Sequence, residues 1–233
     1  MSTAKKLILF IVEGISDEES LGYIFSKILN EAIRFQIVGT DITTRNSTNS
    51  QNVINKVTDE VKTFLEKNKM IKKSDILEIV HLVDTDGAYI PDSLIIEDSS
   101  LNKIRYTTTN IFSNNKNSII ERNLKKSNLL NKLSTTSKIY NINYSVYYFS
   151  TNLEHVLHDI QCVNDEEKMI YAQKFTDRFF KREIEFIAFI NDPSFAVSGD
   201  YRSSWDFIKK DANSLNRYSN LHLFLADKVK SRK

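Results

Sequence analysis

The feature that most constrains this chain is an apolar run, Leu7-Ile8-Leu9-Phe10-Ile11-Val12, that stops abruptly on Glu13-Gly14 and leads into Ile15-Ser16-Asp17-Glu18-Glu19. Six apolar residues without alternation suit a strand covered on both faces, the situation of a strand inside a parallel sheet. Ser16 with Glu19 three positions later reads as a capping box, so a helix is expected to begin at Ser16. Leu21, Ile24, Phe25, Ile28 and Leu29 continue it at helical spacing. Strand, tight turn and helix therefore follow in immediate succession, and the turn carries two acids, Glu13 and Asp17.

The pattern then recurs. Residues 34–42, with Phe35, Ile37, Val38 and Gly39, read as a second strand; 46–51 form a polar loop; 52–67 carry Val53, Val57, Val61, Phe64 and Leu65 at helical spacing. Residues 76–83 are a further strand and end on Asp84-Thr85-Asp86-Gly87. Residues 89–109 mix apolar and polar side chains, as in an extended insertion or an edge hairpin. A helix is expected over 118–133, with Ile120, Leu124, Leu130 and Leu133 on one face and Lys125-Lys126 on the other. The aromatic strand 144–149 precedes Ser150-Thr151-Asn152-Leu153-Glu154, where Thr151 is expected to cap a helix containing Val156, Leu157 and Ile160. The remainder reads as helical: 165–190, a break at Asn191-Asp192-Pro193, two shorter helices around Trp205 and over 221–229, and a basic tail of Lys228, Lys230, Arg232 and Lys233. Alternating strands and helices predict an α/β fold, a mainly parallel sheet flanked by helices, with 1–160 as one domain and 161–233 as a helical extension packed on it.

Bulk properties exclude more than they assign. The net charge of +2, from 32 basic and 30 acidic residues, neither demands nor excludes a nucleic-acid partner, because a groove depends on local clustering. One cysteine, Cys162, rules out an internal disulfide and a cysteine-based zinc cluster. No secretory leader opens the chain and no apolar run approaches the roughly 20 residues that span a bilayer, so a cytoplasmic protein with no membrane partner is expected.

In a parallel sheet the functional loops lie at the carboxyl ends of the strands, which puts Glu13, Asp84, Asp86 and Glu154 at one edge. Carboxylates gathered there repel unless a cation is supplied, and oxygen ligands of this kind suit Mg²⁺ or Mn²⁺. Val12-Glu13-Gly14 after one strand and Asp84-Thr85-Asp86 after another resemble the Toprim domain of topoisomerases, bacterial primases, the 5S ribosomal RNA maturase and OLD-family nucleases. The likeness covers residues 5–160, and the Glu13 to Asp17 spacing is similar to the acid pair of the OLD-type enzymes. With no ATPase domain, topoisomerase tyrosine domain or primase core expected beside it, the nearest analogue is a standalone nuclease.

The resemblance implies a Toprim-like catalytic domain that hydrolyses phosphodiester bonds of DNA or RNA, as in bacterial anti-phage defence, with a protein partner from a defence operon. Asp84 and Asp86 would hold Mg²⁺, Glu13 would bind metal or accept a proton from water, Asp17 and Glu154 would complete a second site, and a lysine, assigned to Lys209, would steady charge on phosphate. Lys125, Lys126, Lys181, Arg182 and Lys210 are the candidate nucleic-acid contacts, with Tyr147, Tyr148, Tyr201 and Trp205 as stacking platforms.

Other readings stand beside these. Acids commonly end strands and begin turns, and an acid in a helix's first turn stabilises the macrodipole with no further role. A Toprim-fold binding or regulatory module would keep the acidic edge without catalysis. A nucleotide-sugar glycosyltransferase would explain Asp84-Thr85-Asp86 but leave Val12-Glu13-Gly14 unexplained, and a haloacid dehalogenase-type phosphatase would need its acid pair after the first strand. The histidines, His81, His155, His158 and His222, form no metal spacing, and Phe175, Phe179, Phe180, Phe186 and Phe189 read as core.

Overall fold

Strand β1, Leu7–Val12, is buried along its whole length and occupies an interior position in a five-stranded sheet. The computed structural model describes residues 6–29 and 32–230. In chain order β1 is followed by α1 (Ile15–Ile28), β2 (Ala32–Ile37), α2 (Val53–Lys67) and β3 (Ile76–Asp84). Three short strands come next, β4 (Ile95–Glu97), β5 (Arg105–Tyr106) and β6 (Ile111–Ser113), then α3 (Lys116–Ser134), β7 (Lys138–Ile139) and β8 (Ile142–Phe149). Helices α4 (Leu153–His158), α5 (Asp165–Phe179), α6 (Glu183–Ile190), α7 (Tyr201–Ile208) and α8 (Leu221–Lys230) complete the chain.

The sheet order is β2-β1-β3-β8-β7, with β1 parallel to β2 and β3, and β3 parallel to β8; only the short β7 runs antiparallel, as a hairpin with β8. This is the mainly parallel α/β layout expected from the sequence. Because side chains alternate along a strand, β1 feeds two cores. Ile8, Phe10 and Val12 pack with residues of α1, α5, α6 and α8, whereas Leu7, Leu9 and Ile11 pack with residues of α2, α3 and α7. Each such side chain, fully buried, stabilises by about 1.5–3 kcal/mol, so the apolar run defines the centre of the molecule. Residues beyond 160 complete both cores through Phe175, Phe186 and Phe224 on one face and Trp205 and Ile208 on the other.

Several local expectations are corrected. Helix α1 begins one residue before Ser16: Gly14 is its N-cap, and Asp17, not Glu19, reaches back to accept from the Gly14 N–H at 2.9 Å. Strand β2 ends at Ile37, because Gly39 turns the chain with φ +73°, so Asp41 lies in a loop and not in a strand. Residues 89–109 contribute to a separate three-stranded sheet, β4-β6-β5. Asn152, not Thr151, caps α4 by accepting from the His155 N–H at 2.8 Å, and α4 stops before Ile160 because Asp159 is left-handed at φ 62°. The helix expected over 165–190 is two helices, broken at Lys181 with φ 58°. Phe180 is half exposed and stacks on Tyr23, while Phe175, Phe179 and Phe186 are core. Among the described residues no helix is long and apolar enough to cross a membrane. Of the basic tail, Arg232 and Lys233 lie outside the described residues, and Lys228 pairs with Glu78.

Candidate functional site

Three neighbouring parallel strands, β1, β3 and β8, end at the same edge of the sheet and deliver acids there. Glu13 follows β1 directly, Asp84 is the last residue of β3, and Glu154 lies in the first turn of α4, just beyond β8. The Asp84 N–H lies 3.5 Å from Glu13 Oε1, a long contact that nonetheless puts the two loops side by side. Glu154 is 4 % exposed, which is exceptional for a glutamate in a first helical turn.

Asp86 owes its position to backbone that few residues adopt. Its φ is 49° and that of Gly87 is 67°, and the Asp86 N–H donates to the Thr151 carbonyl at 2.9 Å. Thr85 between the two acids turns inward and is fully buried, with Oγ1 donating to the Ser214 carbonyl at 3.1 Å. From the other side α3 clamps the same loop. Arg122 donates to the Asp86 carbonyl at 2.8 Å and to the Tyr106 hydroxyl at 2.7 Å, and Asn123 reaches the Gly87 carbonyl at 3.4 Å.

The third residue of that clamp is Lys126. Its side chain is fully buried, and its Nζ donates to Asp41 Oδ2 at 2.7 Å and to Asp86. Lys126 is therefore no open-face contact for a polynucleotide but the cation at the heart of the acid cluster. Burial alone would lower its pKa, yet Asp41, Asp86 and Glu13 carry it well above the usual lysine value. Asp41 is held in turn by the Thr43 N–H and hydroxyl, each at 2.7 Å. Burial pushes its carboxyl up, but Lys126 and Thr43 more than offset this, and it ends below the ordinary carboxylate range.

The remaining acids feel one another. Burial raises the Glu13 carboxyl well above its usual value; Asp41, Asp86 and Asp17 add to this, and Lys126 opposes it. Asp84 is raised well above its usual value by burial first, then by Glu13, Asp17, Asp86 and Glu154. Asp17 is raised to about 6 by burial and by Glu154, against the lowering effect of the Gly14 N–H it accepts. Asp17 thus serves as a helix cap and faces the cluster as well.

Five sequence-predicted acids, Glu13, Asp17, Asp84, Asp86 and Glu154, therefore act on one another, and Asp41 and Lys126 join them. Among the described residues no three His, Cys, Asp or Glu side chains already stand as a ligand cage. The donor set is nonetheless entirely hard oxygen, and Mg²⁺ ordinarily takes only one or two protein carboxylates and keeps several waters. The residues fit such an ion.

The other predicted contacts lie elsewhere. Lys209, the C-cap of α7, pairs with Asp206 at 3.7 Å and is not among the strongest charges acting on Glu13, Asp17 or Asp84. Lys210 is exposed just past α7. Lys125 ties down the β2–α2 loop through the Arg45 carbonyl at 2.6 Å. Lys181 lies over the Phe180 ring, and Arg182 is occupied by Glu185 at 2.7 Å. Tyr147, Tyr148 and Trp205 are buried, so they form no stacking platform. His81 is packed and bonded to the Tyr144 hydroxyl, as its strand position suggests; His155 and His158 are not among the strongest influences on Glu13, Asp17 or Asp84.

Asp41 is the residue sequence reasoning missed, and Lys126, read as a nucleic-acid contact, belongs instead to the buried cluster. Asp41 comes two residues after Gly39, where the chain has already left β2, a break that the reading of 34–42 as one strand ran through. Lys126 stands in the buried stripe Ile119, Asn123, Lys126, Leu130 and Leu133, a helical spacing visible in the sequence. Comparison with protein-family models, curated proteins and solved structures returned no match.

Proposed function

We propose that this protein is a Mg²⁺- or Mn²⁺-dependent nuclease that hydrolyses phosphodiester bonds of DNA or RNA. The observation that supports this most is the convergence of Glu13, Asp84 and Asp86 at one sheet edge, with Glu13 and Asp84 raised by burial and mutual repulsion, a condition that a bound cation relieves. Perturbed carboxyls arranged in this way are typical of working sites.

Glu13, Asp84 and Asp86 would hold the ion, with Asp17 and Glu154 on its flank. When bound, the ion supplies charge stabilisation on a phosphoryl oxygen and an acidified water. If Glu13 leaves the ion to Asp84 and Asp86, its carboxylate is placed to take a proton from the attacking water instead. Lys126, held at Nζ by Asp41 and Asp86, fixes the Asp86 carboxylate and offsets the charge gathered around it, so its part is positioning and not contact with the phosphate. The test is cleavage of a panel of single- and double-stranded DNA and RNA with Mg²⁺ or Mn²⁺. Asp84→Asn and Glu13→Gln are each expected to lose about 10²–10³-fold in rate while staying folded. A panel left uncut by wild type and variants alike would remove this reading.

One observation favours a second reading. Lys126 already neutralises Asp41 and Asp86, so the cluster can persist as a buried ionic brace in a non-catalytic Toprim-like module. Such a module would bind polynucleotide with no dependence on Asp84.

A further inference from the structure

Beside the acid cluster lies a cavity of about 520 Å³, within the range of ordinary ligand sites. Glu154 and Asn152 line it on the side of the acids. One wall is the segment 101–106, with the exposed cations Lys103 and Arg105; the other is 161–164, with Lys168 of α5 alongside. The walls are fixed: Asn152 Nδ2 donates to the Gln161 carbonyl at 3.0 Å, and Gln161 Nε2 donates to the Leu215 carbonyl at 2.9 Å. Tyr106 is tied through Arg122 to the Asp86 carbonyl, so this wall and the acidic loop share one support.

We propose that this cavity receives an unpaired nucleotide next to the scissile phosphate, making the substrate a single strand or a duplex opened at the cut. The ligand class rests on the nuclease reading; the recess itself does not. Cations at the rim suit a phosphodiester backbone, and the mixed apolar and amide interior, with Ile104, Tyr106 and Val163, suits the face and edge of a base. A base in a paired stack cannot enter a recess without being flipped out. Sharing Glu154 between cavity and cluster sets the bound nucleotide one step from the acids.

Cys162 is exposed, lines this cavity and is the chain's one cysteine, so its alkylation rate reports occupancy directly. The experiment measures alkylation of the full-length protein carrying Asp84→Asn, with a saturating single-stranded oligonucleotide, DNA or RNA, or with a duplex of equal length. Single strands are expected to slow alkylation at least about fivefold and duplex not at all; in Lys103→Glu and Arg105→Gln backgrounds the protection is expected to vanish, while Mg²⁺-induced thermal stabilisation, read with Asp84 intact, is unchanged. Equal protection by duplex, or none by either strand, overturns the proposal. If wild type cleaves nucleic acid while Cys162 stays unprotected, the cavity assignment fails and the nuclease reading stands. If Cys162 is protected but nothing is cut, the cavity assignment stands and the nuclease reading fails.

Discussion

Lys126 is where a single side chain decides most. Removing one partner of a buried ion pair leaves the other charged and unsolvated, so Lys126→Met is expected to cost about 3–5 kcal/mol in urea unfolding, since both Asp41 and Asp86 lose their cation. A loss below about 1 kcal/mol would show that the acids are satisfied by water instead. Lys126→Arg keeps the charge but replaces a compact ammonium by a planar fork, so it should retain more stability than Lys126→Met and still lose cleavage at least about tenfold. The doublet Lys125-Lys126 reads as a solvated face when Ile120 and Leu124 are taken as the apolar side. Leu124 is in fact 64 % exposed, and the helix is rotated so that Lys126, not Leu124, points inward. A helix with apolar residues on several sides does not announce its register. The preference here comes from Asp41 and Asp86, which reward a buried cation at that position.

At the scale of elements, the loop after β3 shows how backbone places chemistry. Gly87 is left-handed, and a Cβ there would meet Leu215 Cδ2 at 2.6 Å and Ile111 Cδ1 at 3.0 Å. Gly87→Ala therefore carries both backbone strain and a clash, and is expected to destabilise by about 1–3 kcal/mol. Because Asp86 precedes it directly, cleavage should fall as well; a variant with native unfolding and full activity would show that the loop adapts freely. The sequence marked this loop and the β1–α1 turn through acid and glycine after an apolar run. It misplaced the start of α1, since Ser16 and Asp17 are both competent caps and only the extended backbone of Gly14 selects Asp17. Residues 89–109 were illegible because β4, β5 and β6 are too short to show a period and gain their order from packing with Ile119 and Leu215.

The whole molecule holds its acids together at a cost that its hydrophobic cores outweigh. Bound Mg²⁺ at 100 times its dissociation constant would stabilise by about 2.7 kcal/mol, or roughly 5–10 °C in Tm for a chain of this size. Asp84→Asn is expected to abolish that rise, and in chelator to melt no lower than wild type, because it removes one of several mutually repelling charges. A wild-type Tm indifferent to Mg²⁺ would speak against the ion. The C-terminal part of the chain enters the same balance. Ser214 and Leu215 accept hydrogen bonds from Thr85, Thr151 and Gln161, and Tyr218 accepts from the Ser150 N–H, so distant sequence braces the loops that carry Asp84, Asp86 and Glu154.

The sequence by itself determined the α/β class, the strands β1, β3 and β8, and the acids at their ends, because each is written locally, as an apolar run that stops on a carboxylate. Only the tertiary structure decided that Asp41 and Lys126 complete the cluster, that Lys209 does not, and that a cavity opens beside Glu154. Those outcomes depend on which helix face turns inward and on loops meeting across more than a hundred residues, as Thr85 meets Ser214. No local pattern encodes such contacts; the burial of charge against charge selects them.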